Sequence, residues 1–295
     1  MAFSVNTNTG AMAALQSLNA TNRGMSTVQN RINTGLNVAS TKDDSAKYVI
    51  AQTLRGDMGG LQAVTSSLNN AKSVTDVAVA GVEQISDILN QMKSKAVEAS
   101  DSGLDQDSRD AIATDLTALK DQINTIIGSS DFNGVNLLKN GGGAVGGLRS
   151  LQDGDSTATG WQADELSVAN LDLDTDVFAA AGTAGTPGGL GTAGTAIALG
   201  SATAAETLSD DIDAVADTVK GHLSTLGSAS RQIEGQLSFT SKLSDVIEGG
   251  IGNLVDADLA KESAKLQALQ VQQQLGVQAL SIANQAPQTI LSLFR

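Results

Sequence analysis

The chain from residue 266 to residue 294 contains no charged residue, and its apolar positions follow a regular pattern. One apolar set recurs at steps of four, three and four, and this eleven-residue period keeps one stripe of a helix facing one partner. The set consists of Ala264, Ala268, Val271, Leu275, Ala279, Ile282, Ala286, Ile290 and Leu293. A second set, on roughly the opposite side, consists of Leu266, Leu269, Val277, Leu280 and Leu291. The pattern predicts one long helix with two apolar faces.

A helix with two apolar faces needs two partners to cover it. Residues 1–22 are uncharged as well, and Ala11, Leu18 and Met25 lie at heptad spacing, which predicts an N-terminal helix over about residues 7–33. We predict that the first apolar set packs on this helix within the chain and that the second set meets neighbouring subunits. The predicted intrachain contacts are Ala268, Val271, Leu275 and Ile282. The predicted self-assembly contacts are Leu15, Leu18, Leu266, Leu269, Val277, Leu280 and Leu291.

Two further heptad patterns occupy the inner part of the chain. The first steps three and four from Leu61 to Ala99, and the second does so from Leu208 to Ile247. Sustained heptads are typical of coiled coils, so we predict that these two helices pair. A shorter helix over residues 112–126 has its own apolar seam.

Three glycines, Gly249, Gly250 and Gly252, interrupt the second heptad series just before the uncharged final helix. Each glycine weakens a helix by about 1 kcal/mol relative to alanine. We interpret the three glycines as a hinge between the inner helices and the terminal pair.

The pattern changes between the two heptad helices. Asn133-Gly134 between apolar residues is a strong signal for a tight β-hairpin. Residues 147–153 and 161–168 resemble two short strands around a turn. Residues 179–203 form a Gly/Ala/Thr run with too few large apolar residues for a core, so we expect an irregular surface excursion there.

Together these patterns predict a mainly α fold. We expect nested long antiparallel helices forming a coiled-coil bundle, with a β-hairpin and a small irregular or β outer excursion. The expected parts are paired terminal helices (1–40 and 255–295), a heptad bundle with a hairpin near 131–138 (41–140 and 205–254), and a short variable outer region (141–204).

Composition narrows the possible partners of this 295-residue chain. Aromatic residues are only 2% of it, so the core must be built from aliphatic side chains, which suits helix packing. A net charge of −14 argues against nucleic acid and anionic membranes as partners. Gln267, Gln270, Gln274 and Gln278, which form a polar row on the final helix, and Pro287 argue against membrane insertion, since amides facing hydrocarbon are costly. The N-terminal residues show no classical secretory signal, so export would use another route.

The sequence offers little for catalysis. His222 is the only histidine and lies at a heptad seam, where a packed structural role is the commoner one. Without cysteine, that one histidine cannot build a zinc site. Gly141-Gly142-Gly143 lacks the Lys-Ser/Thr of a phosphate-binding loop, and the acids of residues 101–115 lack calcium-loop spacing. We therefore predict no enzyme activity, no catalytic or metal-binding residue and no cofactor.

Several stretches at both ends of the chain resemble bacterial flagellins. The similarity extends over residues 1–138 and 205–295. The matching stretches are Arg31-Ile32-Asn33-Thr34-Gly35-Leu36, Lys42-Asp43-Asp44, Asp131-Phe132-Asn133-Gly134, Leu137-Leu138, Gln285-Ala286-Pro287-Gln288, Leu291, and the closing Leu293-Phe294-Arg295.

The resemblance implies an extracellular subunit of the flagellar filament that self-assembles head to tail for swimming motility. It implies export by the flagellar type III apparatus, with an export chaperone, the filament cap, hook-junction proteins and sister flagellins as further partners. The terminal helices would form the inner tube of the filament. The stretch that a flagellin-recognising Toll-like receptor reads in some family members departs here at Gln91 and Ser94.

Two alternatives remain open from the sequence. One is the hook–filament junction protein, whose ends are similar to those of flagellins. The other is a coiled-coil adhesin or receptor ligand that acts through the central excursion.

Overall fold

The computed structural model describes residues 7–153, 163–182 and 188–293, with the side chains of 152, 153, 163 and 286–293 left undescribed. Long helices dominate this part of the chain, which confirms the predicted mainly α fold. Its elements in chain order are α1 (Thr9–Thr34), α2 (Ser45–Ala99), α3 (Gln106–Ser129), β1 (Val145–Asp153), β2 (Ala163–Val168), α4 (Leu173–Val177), α5 (Ala202–Val255) and α6 (Leu259–Leu293).

Polar side chains and glycine set the helix ends. At the start of α1, the Asn8 side chain accepts a 3.0 Å hydrogen bond from the Ala11 amide. At its end, Gly35 adopts a left-handed conformation (φ 72°), which a residue with a Cβ adopts only at a cost. Asp105 caps α3 through the Ser108 amide at 2.9 Å, and Asp258 accepts the Ala260 and Lys261 amides at the start of α6. These caps satisfy amides that have no partner inside a helix.

The chain forms two compact units, one of residues 1–58 and 245–295 and one of residues 59–244. Helices α2 and α5 contribute residues to both units. The three-part division expected from the sequence stays a prediction.

The core of the second unit is an aliphatic seam shared by α2, α3 and α5. Leu68, Ile85 and Met92 of α2 are completely buried and belong to one cluster with Ile123 of α3 and Val219 of α5. The predicted heptads of α2 and α5 therefore supply buried seams. Salt bridges on the surface reinforce the same contacts, such as Lys93–Asp213 at 2.6 Å and Lys95–Asp115 at 2.7 Å.

Strands β1 and β2 form a two-stranded antiparallel sheet in which Val145 pairs with Val168 and Leu148 with Glu165. The two short strands predicted here are confirmed over the described residues; Trp161 and Gln162 lie outside them. Arg149 binds Asp164 across the sheet at 2.7 Å, and this hydrogen bond holds the pKa of the Asp164 carboxyl below its ordinary value.

The hairpin expected near residues 131–138 is a single tight turn. Asn133 and Gly134 both have positive φ, and the backbones of Phe132 and Val135 exchange hydrogen bonds of 3.0 and 3.1 Å. Strands do not continue from the turn, because Leu137 and Leu138 go directly into the core and Asn136 donates to the Ile127 carbonyl.

The central excursion is less superficial than its composition suggests. Leu190 and Leu199 are buried in the core of the second unit, with Ile197 packed beside them. The expectation of an irregular segment is right for the described residues, but the expectation that it lies on the surface is wrong at these positions. Hydrogen bonds to the backbone hold other described positions of the segment, such as the Thr192 carbonyl and the Ile197 amide.

The first unit has a small core of its own, formed by Val38, Ala51, Ile251 and Val255. Backbone hydrogen bonds join its two connecting segments. The Asn37 amide donates to the Val255 carbonyl at 2.7 Å, and the Ala257 amide donates to the Gly35 carbonyl at 2.9 Å. The end of α1 is thereby fixed beside the start of α6.

Candidate assembly surface

Helices α1 and α6 pack against each other along a heptad seam on each helix. At these positions the side chains are less exposed than their neighbours, and successive positions are three or four residues apart. On α1 the seam positions are Ala11, Ala14, Leu18, Thr21, Met25, Val28 and Ile32. On α6 they are Glu262, Leu266, Leu269, Gln273, Gly276, Leu280 and Ala283. The spacing is that of a two-stranded coiled coil.

Glycine on each helix makes room for a leucine of the other. A Cβ added to Gly24 would lie 3.6 Å from Leu269 Cδ1, and one added to Gly276 would lie 3.3 Å from Leu18 Cδ1. Because a leucine fits over a glycine in both directions, the two backbones approach closely, with Cα atoms within 8 Å of each other.

Polar contacts set the antiparallel register of the pair. The Asn8 side chain donates to the Ala283 carbonyl at 2.7 Å, and Gln273 donates to Asn22 at 2.9 Å. Arg31 forms a 3.2 Å salt bridge with Glu262, whose side chain is almost fully buried. The three contacts lie near one end, the middle and the other end of the seam.

This packing corrects the predicted intrachain face of α6. Val271, Leu275 and Ile282 were expected to contact α1, but they are 56%, 59% and 69% exposed. Ala268 is exposed as well. The eleven-residue stripe is a real surface of the helix, and it points away from α1.

The seam instead contains residues expected to meet neighbouring subunits. Leu18 of α1 packs against α6, and Leu269 of α6 packs against α1 of the same chain. Leu266 and Leu280 are half-buried in the same seam. Leu15 and Val277 are exposed. The side chain of Leu291 lies outside the described residues.

The misassigned face has a physical cause. The predicted faces included only apolar positions, whereas the seam also contains Gly276 and the polar residues Glu262 and Gln273. Small residues at heptad positions on both helices, such as Ala11, Ala14 and Gly276, are the signal that identifies the seam.

The unpaired side of the α1–α6 pair is rich in apolar residues, and we call these residues the outer set: Met12, Leu15, Val271, Leu275, Val277 and Ile282. All six are at least 49% exposed. A groove of about 910 Å³ along α1 is lined in part by Met12 and Leu15. Large exposed apolar surfaces are uncommon on monomeric proteins and mark interaction sites.

The predicted hinge glycines lie inside an unbroken helix. Helix α5 continues through Gly249, Gly250 and Gly252 to Val255, although the sequence suggested an interruption. A Cβ on Gly249 or Gly250 would meet nothing within 4 Å, and one on Gly252 would meet the Asp256 carboxylate at 2.8 Å. Packing therefore does not require glycine at the first two positions. The hinge role of all three stays a prediction.

His222 and Asp176 form a contact between two helices. His222 Nε2 lies 2.8 Å from Asp176 Oδ2 and links α5 to α4. Within the described residues, no group of three or more His, Asp or Glu side chains could hold a metal ion. None of the helices described is both long and apolar enough to cross a membrane.

Comparison with known proteins agrees with the helical structure of the two ends. Residues 5–142 match the model of the bacterial flagellin N-terminal helical region, and residues 210–294 match that of the C-terminal helical region. The chain belongs to the bacterial flagellin family. This membership confirms the resemblance found in the sequence.

Individual flagellins are similar over nearly the whole chain. Flagellin FljK of Caulobacter vibrioides is 42% identical over 99% of this chain and 98% of its own length. Flagellin C of Rhizobium meliloti is 35% identical over 99% of both chains. A crystal structure of Bacillus cereus flagellin has a TM-score of 0.46 at 22% identity, covering 59% of this chain and 88% of that one. The family assignment rests on the sequence relatives.

Flagellins are structural proteins, and their shared role is that of the extracellular filament subunit in swimming motility. This chain has that role and that location by its family membership. The matches favour neither a hook–filament junction protein nor an adhesin.

Proposed function

We propose that this flagellin polymerises head to tail through the outer set of the α1–α6 pair. The observation that carries the proposal is the exposed stripe Val271, Leu275 and Ile282, which lies opposite the seam with α1. Seam and stripe together account for both apolar faces of α6. One face is covered inside the chain, and the other needs a neighbouring subunit.

The two helices of the pair present different apolar surfaces, which supports contacts between unlike patches. The outer set on α1 and the outer set on α6 differ in residue type and spacing, so a neighbour meets them through a different patch of its own surface. Contacts between unlike patches that do not close into a ring generate helical polymers. The exposed amides of Gln267, Gln270, Gln274 and Gln278 are suited to the water-filled channel of the filament.

The proposed hinge glycines of α5 fit the same assembly. Gly249 and Gly250 have no neighbour that would exclude a larger side chain, so their contribution is backbone freedom. In our proposal this freedom lets α5 bend before the terminal pair and adapts subunits to different positions along a curved filament.

Partners beyond the chain itself follow from export and capping. We propose that the flagellar type III apparatus and an export chaperone handle the chain before assembly, and that cap and hook-junction proteins contact it at the filament ends. Sister flagellins would co-assemble through the same outer set. The chain would act without catalysis or cofactor.

The test is to replace Leu275 and Ile282 together with serine. Each apolar side chain removed from a subunit contact should weaken it by about 1.5–3 kcal/mol, so the critical concentration for polymerisation should rise by more than about tenfold. Sedimentation and electron microscopy of the purified chain measure this. The helical content of the monomer should change little, because both side chains are mostly exposed.

Two controls separate the outer set from the seam. Gln274→Ser changes an exposed polar residue and should leave the critical concentration unchanged. Leu269→Ala removes a seam residue and should loosen α1–α6 pairing in the monomer itself. The opposite result would be normal polymerisation of the Leu275→Ser/Ile282→Ser variant and failure of Gln274→Ser. It would show that the row of exposed glutamines, and not the outer set, is the subunit contact.

A further inference from the structure

Two buried charged side chains outside the assembly surface hold the central excursion. Lys120 on α3 and Asp211 on α5 are each 1% exposed. Within the described part of the chain, neither forms a salt bridge. A buried charge is costly unless hydrogen bonds replace its water, and here those bonds come from the excursion. We call its described residues, 178–182 and 188–201, the strap.

Lys120 binds oxygen atoms of the strap. Its Nζ donates to the carbonyls of Leu190 (3.3 Å) and Thr192 (3.1 Å) and to the Thr195 hydroxyl (3.2 Å). All three ammonium hydrogens thus have an acceptor. Burial lowers the pKa of this lysine, since the charged form loses its water.

Asp211 binds the strap with the opposite polarity. Its Oδ2 accepts the Gly182 amide at 2.9 Å, and its Oδ1 accepts the Gly188 amide. The ammonium therefore holds carbonyl groups and the carboxylate holds amide groups of one segment. Each helix supplies the charge that matches the backbone groups facing it.

Further contacts extend the attachment along α3. The Ile197 amide donates to Thr117 at 3.0 Å, and the Leu199 carbonyl accepts from Gln106 at 2.9 Å. From Gln106 to Lys120 these anchors span roughly 21 Å of helix. Leu190 and Leu199 add buried apolar contacts.

Glycines in the strap meet steric requirements. A Cβ on Gly189 would lie 2.7 Å from backbone atoms of Ala179, and Gly191 has a φ of 77°. The first position allows two backbone segments to touch, and the second requires a left-handed residue. The backbone conformation of the strap therefore favours glycine at these two positions.

We propose that the strap is a clamp that couples α3 to α5, so that the strap and both helices become ordered together. Removing the strap from either helix exposes a buried charge on that helix and leaves strap backbone groups unpaired. The outer region of this flagellin is then an integral part of the second unit. This inference is independent of how subunits contact one another.

A double-mutant cycle in the dilute full-length chain tests the clamp. Lys120→Met keeps the length of the side chain and removes its charge, and Asp211→Asn keeps the shape and removes one acceptor. Hydrogen exchange is followed at the Leu190 and Ile197 amides and across α3 and α5. Lys242→Met and Asp210→Asn are the controls, since both residues are exposed on α5.

If the strap is one clamp, each single variant should accelerate exchange on both sides of it by about tenfold or more. The double variant should then exchange no faster than the faster single variant, because the strap is already detached. Accelerations that multiply in the double variant, or that stay on the helix carrying the change, would overturn the proposal. The control variants should exchange like the unaltered chain.

A milder variant covers the case in which a buried substitution prevents folding. Thr117→Val removes only the hydroxyl that accepts the Ile197 amide. The clamp predicts faster exchange at Leu190 and in α5 as well, by a smaller factor. Acceleration at Ile197 alone would count against coupling.

Discussion

The α1–α6 pair and the seam of α2, α3 and α5 solve the problem of helix packing in opposite ways. In the second unit the large side chains point inward, and Leu68, Ile85 and Leu116 are completely buried. In the α1–α6 pair small residues share the seam, while Val271, Leu275 and Ile282 point outward. The first arrangement completes its core within one chain. The second leaves much of its apolar surface for another subunit.

The difference separates folding from assembly along one chain. A buried aliphatic seam yields a stable subunit at any concentration. An exposed apolar stripe contributes only when a neighbour covers it. Variants placed in one region should therefore affect one property and spare the other.

The largest effect should come from truncating the inner seam. Leu68→Ala removes a fully buried side chain from α2 and should lower the free energy of unfolding by about 2–5 kcal/mol. Denaturant titration of the monomer measures the loss. Thr65→Ala, on an adjacent and less buried part of α2, is the matched control and should cost less. An unchanged midpoint for Leu68→Ala would mean that the seam adjusts around the cavity.

A smaller effect is expected from enlarging a seam glycine. Gly276→Leu should force α1 and α6 apart, because the added side chain meets Leu18, and overpacking of this kind costs about 1–3 kcal/mol. Faster hydrogen exchange in α1 would report the loss of pairing. The reciprocal change Leu18→Gly should restore it in the double variant. Failure of the double variant to recover would argue against leucine-over-glycine packing.

The smallest effect is expected from replacing the hinge glycines of α5. Gly249→Ala and Gly250→Ala introduce no contact and should each stabilise the helix by about 1 kcal/mol. The monomer should melt slightly higher, while filaments lose some of the curvature they adopt. Electron microscopy of the variant filaments records their shape. Filaments with unaltered curvature would remove the hinge role from these glycines.

Much of the fold is predictable because the inner helices obey one simple rule. Every heptad position from Leu61 to Ala99 is apolar or small, so both the helix and its buried face follow directly from the sequence. The end of α1 at Gly35 and the turn at Asn133-Gly134 were predictable for a similar reason. In each case a local backbone conformation demands a particular residue type.

The contacts that were missed depend on groups that hydropathy does not register. In the α6 seam, Gly276 leaves space for Leu18 of α1 and Gln273 donates to Asn22, and a pattern of apolar positions includes neither. Lys120 and Asp211 anchor the strap through backbone carbonyls and amides, which every residue carries. The low-complexity composition therefore predicted a surface segment and gave no sign of these buried contacts.

The contact between Asn8 and Ala283 joins residues 275 positions apart. Such a pairing has a high contact order, and closing so long a loop costs more entropy than forming any local turn. Helix α1 leaves the ribosome before its partner α6. A chain stopped anywhere before α6 contains an N-terminal helix with an uncovered seam. Coiled-coil pairing of α1 with α6 therefore forms only after α6 has been synthesised.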